Sequence, residues 1–112
     1  MKYEVVKNFY DGRFSENGAT EFLDVTSPID GNLLSRVPMS SADELNSVVE
    51  SAKAAFASWS ARPIKERVQV FFKYRQLLEE NVDELTALVS EENGKTWDEA
   101  KAEVEKSIEL TE

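Results

Sequence analysis

The triplet Gly94-Lys95-Thr96, inside "EENGKTWDEA" (residues 91–100), is the ending of a phosphate-binding loop. Such a loop reads G-x-x-x-x-G-K-[ST], because two glycines let the backbone curl and aim successive N–H groups at phosphate oxygens. With Gly94 as the second glycine, the first should stand at position 89, which is Val89. The loop should also follow a buried strand. Upstream, Leu77-Leu78, Val82, Leu85 and Leu88-Val89 recur at three- and four-residue spacing, which is helical. Both tests fail. The triplet reads instead as punctuation: Asn93-Gly94 ends one helix, glycine reaching the left-handed conformation at no steric cost. Thr96 caps the next helix, and Glu99 three residues on completes a capping box.

Carboxylates are the other candidates for chemistry. Glu79, Glu80, Asp83, Glu84, Glu91 and Glu92 crowd into one stretch, and paired carboxylates can bind a cation or move a proton. Their spacing equally suits the solvated face of an amphipathic helix, which is the reading favoured here. The 112 residues include no cysteine and no histidine. Disulfides, the usual zinc sites, thiol nucleophiles and imidazole acid–base work are all removed. The remaining lysine, tyrosine, hydroxyl and carboxyl groups form no recognisable catalytic arrangement, so no catalytic and no cofactor-binding residue is expected in this chain.

Twenty-two acidic against thirteen basic residues give a net charge of -9. Such a surface repels phosphate backbones, so nucleic acid and anionic membrane are not expected partners. No apolar run approaches the roughly 20 residues of a membrane helix. "MKYEVVKNFYDGRF" contains no apolar h-region, and a cytoplasmic address is the default expectation. The length suits one domain able to bury about two-thirds of its unfolded surface.

The elements divide at residue 39. In "NFYDGRF" (8–14), Asp11-Gly12 between Phe9-Tyr10 and Arg13-Phe14 is a two-residue hairpin signal. "SENGAT" (15–20) is a polar connection. "EFLDVTSP" (21–28) has strand character up to Pro28, "IDGN" (29–32) is a turn, and "LLSRVP" (33–38) is a further strand. From Ser41 the period becomes helical: Ser41 with Glu44 forms a capping box, and Leu45, Val48, Val49, Ala52, Phe56 and Trp59 make a stripe. Pro63 suits the first turn of a second helix, with Ile64, Val68, Phe71, Phe72, Leu78, Val82 and Leu85 facing inward. That segment runs nearly 30 residues by its pattern, and a break near Asn81–Asp83 is expected. The last helix starts at Thr96, with Trp97, Ala100, Val104 and Ile108 on one side. It keeps its pattern to Glu112 with no stop signal, which predicts a chain cut from something longer. The expected organisation is an N-terminal β arm over 1–39 and a helical part over 40–112.

The order of these signals resembles the N-terminal segment of the aldehyde dehydrogenase superfamily. The family has an A-x-x-A-F-x-x-W helix, matched by Ala52 to Trp59, and an R-x-x-x-L-x-x-x-x-x-L-L helix, matched from Arg67 to Leu77-Leu78 with Phe71 where leucine is frequent. It also has an E-x-G-K-x-x-x-E-A-x-x-E-V segment, matched from Glu92 through Glu103-Val104. Ser27 before Pro28 stands where asparagine is more usual. "RVP" and "RVQVFFKYRQLLEEN" are most similar to the methylmalonate-semialdehyde branch of the family.

The resemblance implies an α/β parent of which this segment supplies short antiparallel N-terminal strands followed by three or four amphipathic helices. It implies an activity that oxidises an aldehyde or semialdehyde with NAD, giving an acid or passing the acyl group to coenzyme A. The cysteine nucleophile, the glutamate base, the oxyanion-holding asparagine and the main NAD contacts would all lie beyond these 112 residues. The segment itself would be non-catalytic scaffold within a homo-oligomer. It also implies one site: some members hold a monovalent cation with backbone carbonyls before the Asn-Pro turn and an acid before the Gly-Lys pair, here Val25, Thr26 and Glu92. A competing reading is a stand-alone acidic helical module that binds a partner through Trp59 and Phe71-Phe72.

Overall fold

The computed structural model describes residues 1–15 and 18–112. Two positions of the expected polar connection over 15–20, residues 16 and 17, lie outside the described residues. The chain forms two compact units. The first comprises Met1–Thr26 with Asn32–Ala61, and the second Ser27–Gly31 with Arg62–Glu112.

The first unit opens with a hairpin of β1 (Phe9–Tyr10) and β2 (Arg13–Phe14). Asp11 and Gly12 both adopt positive φ, 52° and 72°, which a two-residue turn of the I′ kind requires. Phe9 faces Phe14 in the register, and their rings meet edge to face at 5.1 Å. β3 (Phe22–Thr26) and β4 (Leu33–Pro38) pair antiparallel, Phe22 opposite Pro38 and Val25 opposite Ser35, with an irregularity between Val25 and Thr26. Asp24 and Arg36, opposite in this register, form a 2.8 Å ion pair. The N-terminal segment lies along β4: Lys2 and Tyr3 N–H donate to Leu34 O, and Val6 N–H to Arg36 O. The buried Ser35 hydroxyl donates to Glu4 O at 2.6 Å.

Helix α1 (Ala42–Ser60) completes this unit. Ser41 caps it, its Oγ accepting from Glu44 N–H at 3.2 Å. Only half of the expected capping box forms, because the Glu44 carboxylate accepts from Ser15 Oγ at 2.9 Å. A side chain with a tertiary donor in reach need not turn back to its own helix end.

The second unit consists of α2 (Ile64–Glu80), α3 (Val82–Asn93) and α4 (Trp97–Thr111). The break expected near 81–83 falls at Asn81, whose φ of -115° leaves the helical range and whose side-chain amide donates to Leu77 O at 2.7 Å. α4 packs on both α3 and α2. Its Ala100, Val104 and Ile108, four residues apart, form the buried stripe, beside Thr86 of α3. Such spacing places three side chains one above another on a single helix face.

The inward burial expected of the second helix is met only in part, Val68, Leu78, Val82 and Leu85 being half-buried. No residue of α1 and none of α2 is buried. Leu45, Val49 and Phe56 on α1 are exposed, as are Ile64, Phe71 and Phe72 on α2, and Trp97 at the start of α4. The periodicity shows which face of a helix is apolar, but burial needs an opposing surface. Neither unit offers one large enough for these stripes. Among the described residues no helix is long and apolar enough to cross a membrane.

Candidate functional site

The Gly94-Lys95-Thr96 junction sits between α3 and α4, and its geometry is that of a corner. Gly94 is the left-handed cap of α3 at φ 69°, its N–H donating to Ser90 O. A Cβ added there would stand 3.0 Å from Pro28 Cγ and 3.8 Å from Ile29 Cγ1. The turn over 27–31 therefore rests directly on the α3 cap, within the same unit. Lys95 does not point into an anion cradle. Its ammonium pairs with the Glu103 carboxylate on α4, and its carbonyl accepts from Ser90 Oγ at 2.7 Å. Thr96 and Glu99 form the full capping box: Thr96 Oγ1 accepts from Glu99 N–H at 3.3 Å, and Glu99 accepts from Thr96 N–H at 3.2 Å. The Thr96 hydroxyl also donates to this carboxylate at 3.0 Å, and these bonds hold Glu99 below its ordinary value.

Ser27 explains its own departure from asparagine. Its Oγ accepts from Ile29 N–H at 3.2 Å, and its carbonyl accepts from Gly31 N–H at 2.8 Å. A hydroxyl two residues ahead of an amide can make the same local turn as an Asn side chain. The turn survives the change of residue. Gly31, at φ 74°, closes it in a conformation that glycine adopts freely.

The expected cation ligands fall in separate units. Val25 and Thr26 flank the irregularity of β3 in the first unit, and Glu92 lies exposed in the last turn of α3 in the second. The residue that the register skips is Leu34 of β4, opposite this step, and its carbonyl accepts from Lys2 and Tyr3 N–H. No cluster of three or more acidic side chains able to hold a metal occurs among the described residues. The crowded carboxylates of 79–92 divide among separate contacts, Glu79 pairing with Arg75 and Glu80 accepting from Gln76.

Sequence reading missed one arrangement. Arg75 binds Glu79 at 2.8 Å and Glu112 at 2.6 Å, tying the middle of α2 to the end of α4. The Glu112 hydrogen bond is the main reason its guanidinium is held charged still more firmly than usual. The two glutamates are four and thirty-seven residues away, and only the nearer has a spacing that sequence could flag. Beside this network Val68, Phe71, Phe72, Arg75, Thr111 and Glu112 line an apolar groove of about 580 Å³.

Comparison with known proteins adds what this geometry does not contain. The model of the aldehyde dehydrogenase family matches residues 14–112. The chain is 42% identical over 109 residues, 97% of its length, to the malonate-semialdehyde dehydrogenase of Halalkalibacterium halodurans. It is 38% identical over 108 residues to malonate-semialdehyde dehydrogenase 1 of Geobacillus kaustophilus. The fold superposes with a TM-score of 0.90 and 35% identity on a methylmalonate-semialdehyde dehydrogenase of Sinorhizobium meliloti complexed with NAD, covering 99% of this chain. The chain spans 22% of the length of each of these relatives.

Proposed function

Because the chain belongs to the aldehyde dehydrogenase family, we propose that it serves as a structural segment of an NAD-dependent semialdehyde dehydrogenase, and that it performs no chemistry by itself. The observation that carries this reading is a match over nearly the whole chain to proteins of which it spans 22%. The residues agree with it. Without cysteine or histidine, the chain has neither a thiolate to attack an aldehyde carbon nor an imidazole to move its proton. What it does contain is a set of capped helices with uncovered apolar faces, suited to lie against a larger body. The relatives' names favour a malonate or methylmalonate semialdehyde as the substrate of the whole enzyme. Coenzyme A would be the acyl acceptor, and the assembly a homo-oligomer. The division into a β arm over 1–39 and a helical part over 40–112 is part of this proposal.

The test is reconstitution. The pure chain, mixed with malonate semialdehyde and NAD, should produce no absorbance at the NADH wavelength. Co-expressed with the remaining part of the H. halodurans relative, it should restore NADH formation. Turnover by the pure chain would overturn the scaffold reading, and so would a stably assembled mixture that stays inactive.

A further inference from the structure

Among the described residues, Arg67 is the arginine that no carboxylate pairs with. Arg13, Arg36 and Arg62 pair with Asp11, Asp24 and Glu66, and Arg75 pairs with both Glu79 and Glu112. Arg13, Arg36 and Arg62 are exposed, where water can solvate a charge as well as an acid can, whereas Arg67 is half-buried. In a chain with twenty-two acidic residues, the guanidinium with more need of a partner is the one left without.

Its place on α2 gives the reason. The half-buried residues of this helix are Arg67, Val68, Arg75 and Leu78, whose spacing sets them on one face. On that face Arg75 is met by Glu112, just past the last turn of α4. Arg67 stands two turns nearer the start of α2, about 12 Å along the axis, beyond the reach of that contact. Its Nε is buried without an acceptor, while its terminal Nη groups are not buried. An incoming group therefore meets the open end of the guanidinium, whose N–H donors suit a carboxylate. Ile64 and Phe71, one turn to either side, are exposed. A protein surface that covers them also takes water from Arg67, and a cation so enclosed needs an opposite charge.

We propose that Arg67 is the charged anchor of this segment in the assembled enzyme, its Nη groups donating to an aspartate or glutamate of the remaining part. The anchor deepens the structural-segment reading given above and depends on it. The acceptor is a protein carboxylate, not a phosphate of the cofactor, because the neighbours of Arg67 on this face are apolar side chains that a protein surface covers. An apolar face contributes affinity with little direction, whereas an ion pair at a fixed point sets the register of the two surfaces.

The test uses the 112-residue chain co-expressed with the remaining part of the H. halodurans relative, and measures the concentration at which the purified complex half-dissociates on dilution. Arg67→Met, which keeps the apolar stem and removes the charge, should raise that concentration by at least about tenfold. Arg67→Lys, which keeps the charge and loses the fork, should raise it less. Arg62→Met, which breaks only the exposed pair with Glu66, should leave it unchanged. Circular dichroism checks that each variant keeps its helix content, and Arg67→Gln replaces Arg67→Met if the latter does not. A wild-type chain that fails to assemble would overturn the structural-segment reading and the anchor with it. Assembly of the wild type and Arg67→Met alike would overturn the anchor alone. So would an Arg67→Met complex that dissociates as the wild type does but binds NAD more weakly, since the acceptor would then be the cofactor.

Discussion

Gly94 shows how much one residue's conformational freedom can fix. Its φ of 69° belongs to the left-handed region, which costs a residue with a Cβ about 1–2 kcal/mol. The added methyl would also stand 3.0 Å from Pro28 Cγ, a ring atom with little room to withdraw. Gly94→Ala should therefore destabilise the second unit by at least about 1–2 kcal/mol, read as a lower urea midpoint with an unchanged slope. A midpoint equal to the wild type's would mean that the corner is not strained as described. Lys95 makes the complementary point. Its neighbours in sequence are those of a phosphate loop, but its ammonium is held by Glu103. Residue type and spacing nominate a chemistry; the direction of the side chain decides it.

At the scale of the element, helix ends are where this chain is most explicit. The Thr96–Glu99 box satisfies α4 amides that no intrahelical carbonyl can reach. The bonds from Thr96 hold the Glu99 carboxyl below its ordinary value of 4.5. A carboxyl lowered in the folded state contributes stability that is fully present above its unfolded value, and that is lost as pH falls through the folded one. Acidification below about pH 4.5 should therefore loosen the first turn of α4. In a proton-resonance titration, Thr96→Ala should move the Glu99 titration upward, toward the ordinary carboxylate range. Thr96→Ala should also cost about 1 kcal/mol at neutral pH, as loss of a cap does. An unmoved Glu99 titration in the variant would show that the box does not hold it. Helix α1 uses the same signal differently: Ser41 caps, while Glu44 serves a hydroxyl on the β side of its unit.

For the whole molecule the governing fact is a shortage of opposing surface. Buried apolar side chains among the described residues are Leu34, Pro38, Ala100, Val104 and Ile108, too few to cover the large residues of α1 and α2. Each large side chain left in water forgoes about 1.5–3 kcal/mol of burial, against total stabilities of about 5–15 kcal/mol for ordinary domains. A larger enzyme body is the cover proposed, and it relieves this deficit.

The sequence by itself determined the elements and their ends. The Asp11-Gly12 hairpin, the strand over 33–38, the break at Asn81, the Gly94 cap and the Thr96 box all stand where local rules put them. Each depends on backbone sterics or on hydrogen bonds between residues a few positions apart. The sequence also carried the family likeness, through motifs spread over the chain and later matched across residues 14–112. Tertiary structure alone decided which apolar faces are covered. It took Glu44 from its own helix, bound Arg75 to a residue thirty-seven positions away, and buried the Thr86 hydroxyl without a partner in a unit where Phe71 and Phe72 stay in water. Periodicity gives a side chain its direction relative to its own helix axis. Whether anything meets it there depends on elements distant in the chain, and no local pattern of residues encodes their positions.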